Sequence, residues 1–212
     1  MPSAPPDLDI QLVRAQAMTC QNCRLAETRT QVVWAAGNLE GDLLFIGEAP
    51  GFHEDKQGIP FVGAAGRLLT QLMGEVGLDR NDAAIVNVLK CRPPGNRDPE
   101  PDEIEACTPY LEAQISHMSP RVIVTLGNFA TRFVLKQQIG ITRARGQLFA
   151  YGSATVIPTF HPAAALRGGS WGGVSTIDAM RADLAAVRRT LDSLPPRQGL
   201  AEEANGEQMG LF

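Results

Sequence analysis

The chain has 212 residues, of which 44% are hydrophobic and 20% are charged, and its net charge is −4. This length is sufficient for one domain with a substantial core. No apolar run approaches the ~20 residues that a membrane-spanning helix needs, and residues 1–10 lack the basic and apolar regions of a signal peptide. These features argue against a membrane or secreted protein and favour the cytoplasm.

Four short apolar runs rich in β-branched residues predict strands at 42–46, 83–89, 121–126 and 154–159. Helical patterns lie between and after them, at 64–76, 101–118, 128–138 and 177–194. Strands that alternate with helices predict an α/β fold whose mostly parallel sheet is covered on both faces. The polar segment from residue 195 onward predicts a disordered tail, 195–212, after a domain at 1–194.

Parallel strands joined by right-handed crossovers bring their C-terminal ends to one edge of the sheet, where ligands bind in open α/β folds. Each strand is followed there by glycine, proline or polar residues, at 47–51, 90–94, 127–128 and 160–162. The glycine-rich loop after the first strand matches neither common phosphate-binding pattern. It also carries Glu48, Glu54 and Asp55, which would repel a phosphate. The sequence therefore predicts a site at this edge for something other than a phosphate.

Charge is unevenly distributed. Residues 1–120 hold 9 basic and 17 acidic residues, whereas residues 121–189 hold 9 basic and 2 acidic ones. A basic C-terminal part on an acidic protein suggests an anionic partner such as nucleic acid, with a solvated charged surface as the equal alternative.

The four cysteines are Cys20, Cys23, Cys91 and Cys107. A C-x-x-C pair with two distant cysteines favours a four-thiolate site, and its spacing does not choose between zinc and an iron–sulfur cluster. The alternatives are four unrelated buried thiols or a redox pair. The redox pair is disfavoured because Cys20 does not follow a strand.

Three motifs, at 47–69, 87–97 and 159–164, resemble those of the iron–sulfur (family 4) uracil-DNA glycosylases, and the cysteine pattern is similar as well. The resemblance covers about residues 15–192. It implies a three-layer α/β/α sandwich with a central four-stranded, mostly parallel sheet, so that 1–194 is a single uracil-DNA glycosylase-like domain. It also implies a [4Fe–4S] cluster on the four cysteines and a repair enzyme that excises uracil from DNA.

Uracil must leave the duplex to be cleaved, so a base pocket is required. The resemblance assigns base stacking to Phe61, with a core position as the alternative. The Asn87 carboxamide offers both a donor and an acceptor, which suits uracil O4 and N3–H; closing a turn is its alternative. His161 would donate to uracil O2 as the departing base becomes negative, and the resemblance favours a neutral imidazole.

The remaining predictions concern the loop after the first strand and the attacking water. Gly47 shapes the substrate-binding loop. Ala49 stands where other uracil glycosylase families have a carboxylate or an amide, and an alanine can activate nothing. Glu48 and Glu54 are the candidates to position the water and balance the cationic sugar. The resemblance favours Glu54, and for both glutamates the alternative is that the carboxylate only supports loop amides.

Contacts with DNA outside the pocket are assigned to Arg143, Arg145 and Arg167 as candidates for binding phosphate, each with an ordinary surface arginine as the alternative. Leu166 is the candidate wedge that fills the place of the extruded base. The partner is single- or double-stranded DNA that contains uracil, and a monomer without membrane attachment is expected. A non-enzymatic iron–sulfur nucleic-acid binder is the competing function.

The last residues of the chain resemble the short peptide by which bacterial repair proteins bind the sliding clamp. The residues concerned are Gln208, Met209, Leu211 and Phe212. A polar leader would present apolar anchors to a groove on the clamp. The alternative is a tail whose end is apolar by chance.

Overall fold

The computed structural model describes residues 9–196. Its α-helices are α1 Ile10–Met18, α2 Phe52–Gln57, α3 Ala64–Glu75, α4 Pro101–Met118, α5 Gly127–Leu135, α6 Ile141–Ala144, α7 Pro162–Leu166 and α8 Thr176–Asp192. Its strands are β1 Ala36–Gly37, β2 Leu43–Gly47, β3 Ala83–Asn87, β4 Val122–Leu126, β5 Phe149–Tyr151, β6 Ala154–Thr159, β7 Ser170–Trp171 and β8 Val174–Ser175. Two short 3-10 turns occupy Arg24–Glu27 and Pro94–Asn96.

The main sheet has six strands in the order β1-β3-β2-β4-β6-β5. The four inner strands are parallel, and every residue of β2, β3 and β4 is buried, as expected for strands covered on both faces. This confirms the predicted α/β fold and its four parallel strands. The sheet has six strands and not the four expected, because two short antiparallel edge strands, β1 and β5, of two and three residues, extend it. A separate hairpin pairs β7 with β8.

Helices cover both faces of the sheet, because alternate strand residues point to opposite sides. On one face, Phe45 and Ile85 pack against leucines and methionines of α3 and α8. On the other, Leu44 and Ile46 pack against α4 and α5. The result is three layers, α/β/α. Among residues 9–196 no helix is both long and apolar enough to cross a membrane.

The parallel register aligns the strand ends that carry the predicted site. Gly47 at the end of β2 lies opposite Asn87 at the end of β3, and Leu126 of β4 lies opposite Thr159 of β6. The backbone ladder continues for two residues beyond β3, because Val88 and Leu89 donate to the carbonyls of Gly47 and Glu48. The loops that follow these strands therefore meet at one edge of the sheet.

Candidate active site

A cavity of about 440 Å³ opens at the C-terminal edge of the sheet. It is lined by residues from the loops after β2, β3 and β6 and from the start of α3. Of the residues predicted from the sequence, it brings together Glu48, Ala49, Glu54, Phe61, Asn87, His161 and Arg167. Side chains on separate segments thus converge on a single concave site, as a bound small group requires.

Gly47 sits directly behind two of the converging side chains. A Cβ atom at this position would lie 2.3 Å from Asn87 Oδ1 and 2.6 Å from Phe61 Cζ, well inside van der Waals contact. Only a residue without a side chain lets the amide and the aromatic ring approach the end of β2 together. The role of Gly47 is therefore to set the spacing between the Asn87 amide and the Phe61 ring.

We expect Gly47→Ala to lower kcat/KM for the reaction at this site by on the order of 100-fold, because displacing reacting groups by about 1 Å costs that much. The fold should tolerate the change, since the atoms that must move are side-chain ends. Gly74→Ala is the matched control, because a Cβ there meets nothing within 4 Å. Steady-state kinetics and thermal melting of both variants provide the comparison, and unchanged kinetics in Gly47→Ala would contradict the proposed spacing role.

Asn87 is 2% exposed, and within residues 9–196 nothing hydrogen-bonds its buried Oδ1. Its backbone carbonyl accepts a hydrogen bond of 2.6 Å from Lys90 Nζ, and Lys90 also donates to Gln114 Oε1. The backbone is thus fixed by the buried Lys90 side chain, while the carboxamide is left for another partner. A buried polar atom without a partner costs about 1–3 kcal/mol, so its presence at the cavity wall indicates a ligand that supplies the missing donor.

Phe61 is held in an unusual conformation. Its φ is +56°, a left-handed value that costs a non-glycine residue on the order of 1–3 kcal/mol. Gly66 of α3 packs so tightly on its backbone that a Cβ would lie 1.8 Å from the Phe61 carbonyl oxygen. The ring is buried, lines the cavity and lies 5.7 Å from the His161 ring at a tilt of 37°. Phe61 is therefore both a core residue and one wall of the cavity.

His161 is the N-cap of α7, and its Nδ1 accepts a hydrogen bond of 3.2 Å from the Ala163 amide. That bond requires Nδ1 to be unprotonated, so the proton of the neutral ring lies on Nε2. Burial lowers the pKa of His161 to about 4, with a further decrease from Arg167 that Glu54 opposes. The imidazole is thus neutral at physiological pH and offers Nε2–H as a donor.

The two glutamates have different environments. Glu54 Oε1 accepts hydrogen bonds from the amides of Val62 and Gly63, at 3.0 and 2.9 Å, and so fixes the loop that carries Phe61. Among residues 9–196 no group hydrogen-bonds the Glu48 carboxylate. Burial, and secondly the charge of Asp98, raises the pKa of Glu48. The loop-supporting role considered for Glu48 thus belongs to Glu54.

The candidate DNA contacts are only partly brought together. Arg167 lines the cavity, and its neighbour Leu166 is 51% exposed. Arg143 is exposed on α6 and does not line the cavity. Arg145 lies apart from the site, because its guanidinium pairs with Asp183 at 2.8 Å and donates to the Ala179 carbonyl at 2.6 Å. The internal pairing of Arg145 replaces the phosphate contact expected from the sequence.

Sequence reasoning missed Asp98 and the space beside it. A second cavity of about 630 Å³ adjoins the first and shares Glu48, Asp98, His161 and Arg167 with it. Its other walls come mainly from α5, including Phe129 and Phe133. The motif that ends with Asn96 and Arg97 stops one residue before Asp98. This adjacency was the available sign in the sequence that Asp98 lies at the site.

All four cysteines are free thiols that line one small cavity between α1, β3 and α4. Cys91 and Cys107 are buried, and Cys20 and Cys23 are half-buried. Within the described part of the chain, no three cysteine, histidine or acidic side chains are grouped so that they could share one metal ion. The convergence argues against four unrelated thiols. The region around the cysteines also supports the active site, because Ala49 packs against the apolar cluster that contains Cys91 and Cys107.

Comparisons with known proteins agree with this geometry. Residues 34–185 match the model of the uracil DNA glycosylase superfamily. Relatives named type-4 uracil-DNA glycosylase include that of Sulfurisphaera tokodaii, 45% identical over 74% of this chain and 76% of the relative. The protein of Saccharolobus solfataricus is 46% identical (74% and 77% covered), and that of Thermotoga maritima is 47% identical (74% and 83%). The chain therefore belongs to the type-4 uracil-DNA glycosylases of the uracil DNA glycosylase superfamily.

Proposed function

We propose that the protein removes uracil from DNA by hydrolysing its N-glycosidic bond and so starts base excision repair. The observation that carries this proposal is the buried, unpaired Oδ1 of Asn87, which lines one cavity with Phe61 and the neutral His161. Family membership supports the reaction, and this geometry supports the proposed chemistry of recognition.

Asn87 reads the edge of the flipped base. Its Oδ1 accepts from uracil N3–H, which satisfies the unpaired atom, while its Nδ2 donates to uracil O4. Cytosine presents an acceptor and a donor in the opposite order and leaves both amide atoms unpaired. Phe61 stacks on the base, a contact that contributes roughly 1–3 kcal/mol.

His161 acts on the departing base. As the glycosidic bond breaks, negative charge accumulates on uracil while the deoxyribose becomes cationic. The Nε2–H of the neutral ring donates to uracil O2, and this hydrogen bond strengthens as the charge develops. The amide of Ala163, bonded to Nδ1, keeps the proton on Nε2.

Glu48 positions the attacking water and balances the cationic sugar. Its carboxylate lines the cavity without a protein partner, whereas one oxygen of Glu54 is already occupied by two loop amides. The carboxylate must be ionised to act. Because the pKa of Glu48 is raised, kcat/KM should begin to fall, as the pH decreases, at a pH above the usual glutamate range. This fall precedes the protonation of His161, whose pKa is about 4.

We expect Glu48→Gln to lower kcat by on the order of 100-fold or more and to remove this acid limb, because glutamine cannot titrate. Glu54→Gln is the matched comparison: it should lower the melting temperature through its loop amides while the acid limb stays. Rate–pH profiles of uracil release measure both. An acid limb that persists in Glu48→Gln would assign the water to another group.

We propose that Cys20, Cys23, Cys91 and Cys107 hold a [4Fe–4S] cluster. Four thiols around one cavity fit a four-thiolate group, and the cysteine pattern is similar to that of the iron–sulfur (family 4) uracil-DNA glycosylases. When bound, the cluster ties the segment after α1 to the end of β3 and to α4. Equimolar iron and acid-labile sulfide in the purified protein would support this assignment, and zinc without sulfide would refute it.

The direct test of the function is base release from oligonucleotides that contain uracil, hypoxanthine or mispaired thymine, followed by alkaline strand cleavage. We expect cleavage at uracil. No cleavage despite DNA binding would identify a non-enzymatic binder instead.

Further proposals concern the setting of the enzyme. We propose that residues 1–194 form one glycosylase domain that works as a monomer, in the cytoplasm, where cysteines rarely form disulfides. Gln208, Met209, Leu211 and Phe212 lie outside the described residues. Their similarity to clamp-binding peptides supports a contact with the sliding clamp. Deleting 208–212 should abolish binding to purified clamp and leave excision on naked DNA intact; retained binding would end this proposal.

A further inference from the structure

An exposed aromatic side chain stands at the rim of the base cavity. Phe52, the first residue of α2, is 47% exposed, and the adjacent Gly51 lines the cavity. Arg92 approaches from the loop after β3, and the next residue, Pro93, also lines the cavity. We call the surface formed by Phe52, His53, Lys56 and Arg92 the Phe52 patch.

Two cationic side chains lie over the Phe52 ring. Lys56 Nζ lies 4.9 Å and the Arg92 guanidinium carbon 5.2 Å from the ring centroid. The His53 ring lies 5.4 Å away, nearly perpendicular at 83°. Arg92 Nε donates to Asn96 Oδ1 at 2.7 Å, which fixes the guanidinium beside the ring. An exposed aromatic ring thus lies beside basic side chains.

The charge of the patch contrasts with its surroundings. The chain carries −4 overall, and the cavity contains Glu48, Glu54 and Asp98. The acidic side chains of α2 are already engaged: Glu54 accepts hydrogen bonds from the loop amides, and Asp55 is buried and accepts from the Thr30 amide. The basic groups at the ring are therefore left to attract an anion.

A nucleotide combines a flat π surface with an anionic phosphate, which is the chemistry of this patch. When uracil enters the cavity, the next nucleotide of the same strand must cross its rim. We propose that the Phe52 patch binds that neighbouring nucleotide, whose base stacks on Phe52 while its phosphate contacts Lys56 and Arg92. This inference rests on the proposed function, because it takes the flipped uracil to occupy the cavity.

The test uses single-stranded oligonucleotides that carry one cleavage-resistant deoxyuridine, with 2-aminopurine placed on its 5′ or its 3′ side. Stacking on Phe52 should quench the fluorescence of one of the two probes. Phe52→Ala should abolish that quenching and weaken binding by on the order of 10-fold, whereas Phe52→Trp should retain both. Leu12→Ala, which removes another exposed large apolar side chain, on α1, is the control and should change neither.

The charged part of the patch is tested by salt dependence. Lys56→Gln and Arg92→Gln should each lower the slope of log Kd against log salt concentration by about 0.7, the value for one contact with a single strand. Unchanged affinity, quenching and slope in the patch variants would overturn the inference even if uracil excision is normal. A wild-type protein that releases no uracil would instead overturn the proposed function. The two failures are distinguishable, because the binding measurements do not require cleavage.

Discussion

Asn87→Ala is expected to lower kcat/KM for uracil excision by on the order of 1000-fold or more without destabilising the fold. A site built to hydrogen-bond a base loses most of its discrimination and rate when its paired donor and acceptor are removed. The folded protein alone loses no hydrogen bond at Oδ1, because within residues 9–196 that atom has no partner. Removing a buried unpaired oxygen should leave the melting temperature unchanged or raise it.

Gln114→Ala provides the contrast for this prediction. Gln114 is also a buried amide, but it accepts from Lys90 and donates to the Trp34 carbonyl at 3.0 Å. Its loss removes an acceptor from the buried Lys90 and a donor from the Trp34 carbonyl, and it should lower the melting temperature. Kinetics and thermal melting of the two variants separate an amide reserved for a ligand from one used by the fold. A destabilised Asn87→Ala protein would mean that Asn87 serves the fold.

The parallel strands were predictable because each is a continuous apolar run, buried on both faces and bounded by turn residues. The two edge strands were not, since β1 has two residues and β5 three, and neither is fully buried. The short helices α2 and α7 escaped prediction for a related reason: five or six residues carry too little periodicity. Helix α5 ends at Leu135, three residues before its predicted end, with Lys136 in a left-handed conformation.

The position of the site was also predictable, because strand ends in a parallel sheet share an edge. The division of labour within it was not. Glu54 bonds amides eight and nine residues away, and Arg145 pairs with Asp183, 38 residues away. Such pairings depend on the tertiary fold and leave no local pattern in the sequence.

The net charge of the basic segment 121–189 is likewise partly offset by tertiary pairings that leave no local pattern in the sequence. Several of its arginines are paired within the fold, Arg121 with Asp42 and Arg181 with Glu75. These partners come from the acidic first 120 residues, so the charge imbalance along the chain is partly neutralised between its two parts. Net charge of a sequence segment is therefore a poor guide to the DNA-facing surface.

His161→Ala is expected to lower kcat by about 100- to 1000-fold with a much smaller change in KM, because the hydrogen bond to uracil O2 acts mainly in the transition state. His117→Ala, which removes an exposed imidazole from α4, should leave both constants unchanged. Single-turnover rates at saturating DNA measure the effect on the chemical step. A His161→Ala enzyme within tenfold of wild type would remove the imidazole from the mechanism.

The pKa of His161 gives this prediction a second, independent readout. The folded pKa of about 4 lies below the unfolded value of 6.5, so between these pH values the unfolded chain binds more protons than the folded one. The neutral ring therefore contributes stability that is complete above pH 6.5 and is lost as the pH falls toward 4, on the order of 3 kcal/mol. Wild type should lose stability relative to His161→Ala across this range in urea unfolding. Titration of the His161 ring near 6.5 by NMR would instead show an exposed imidazole, unfit to remain a neutral donor while the base departs.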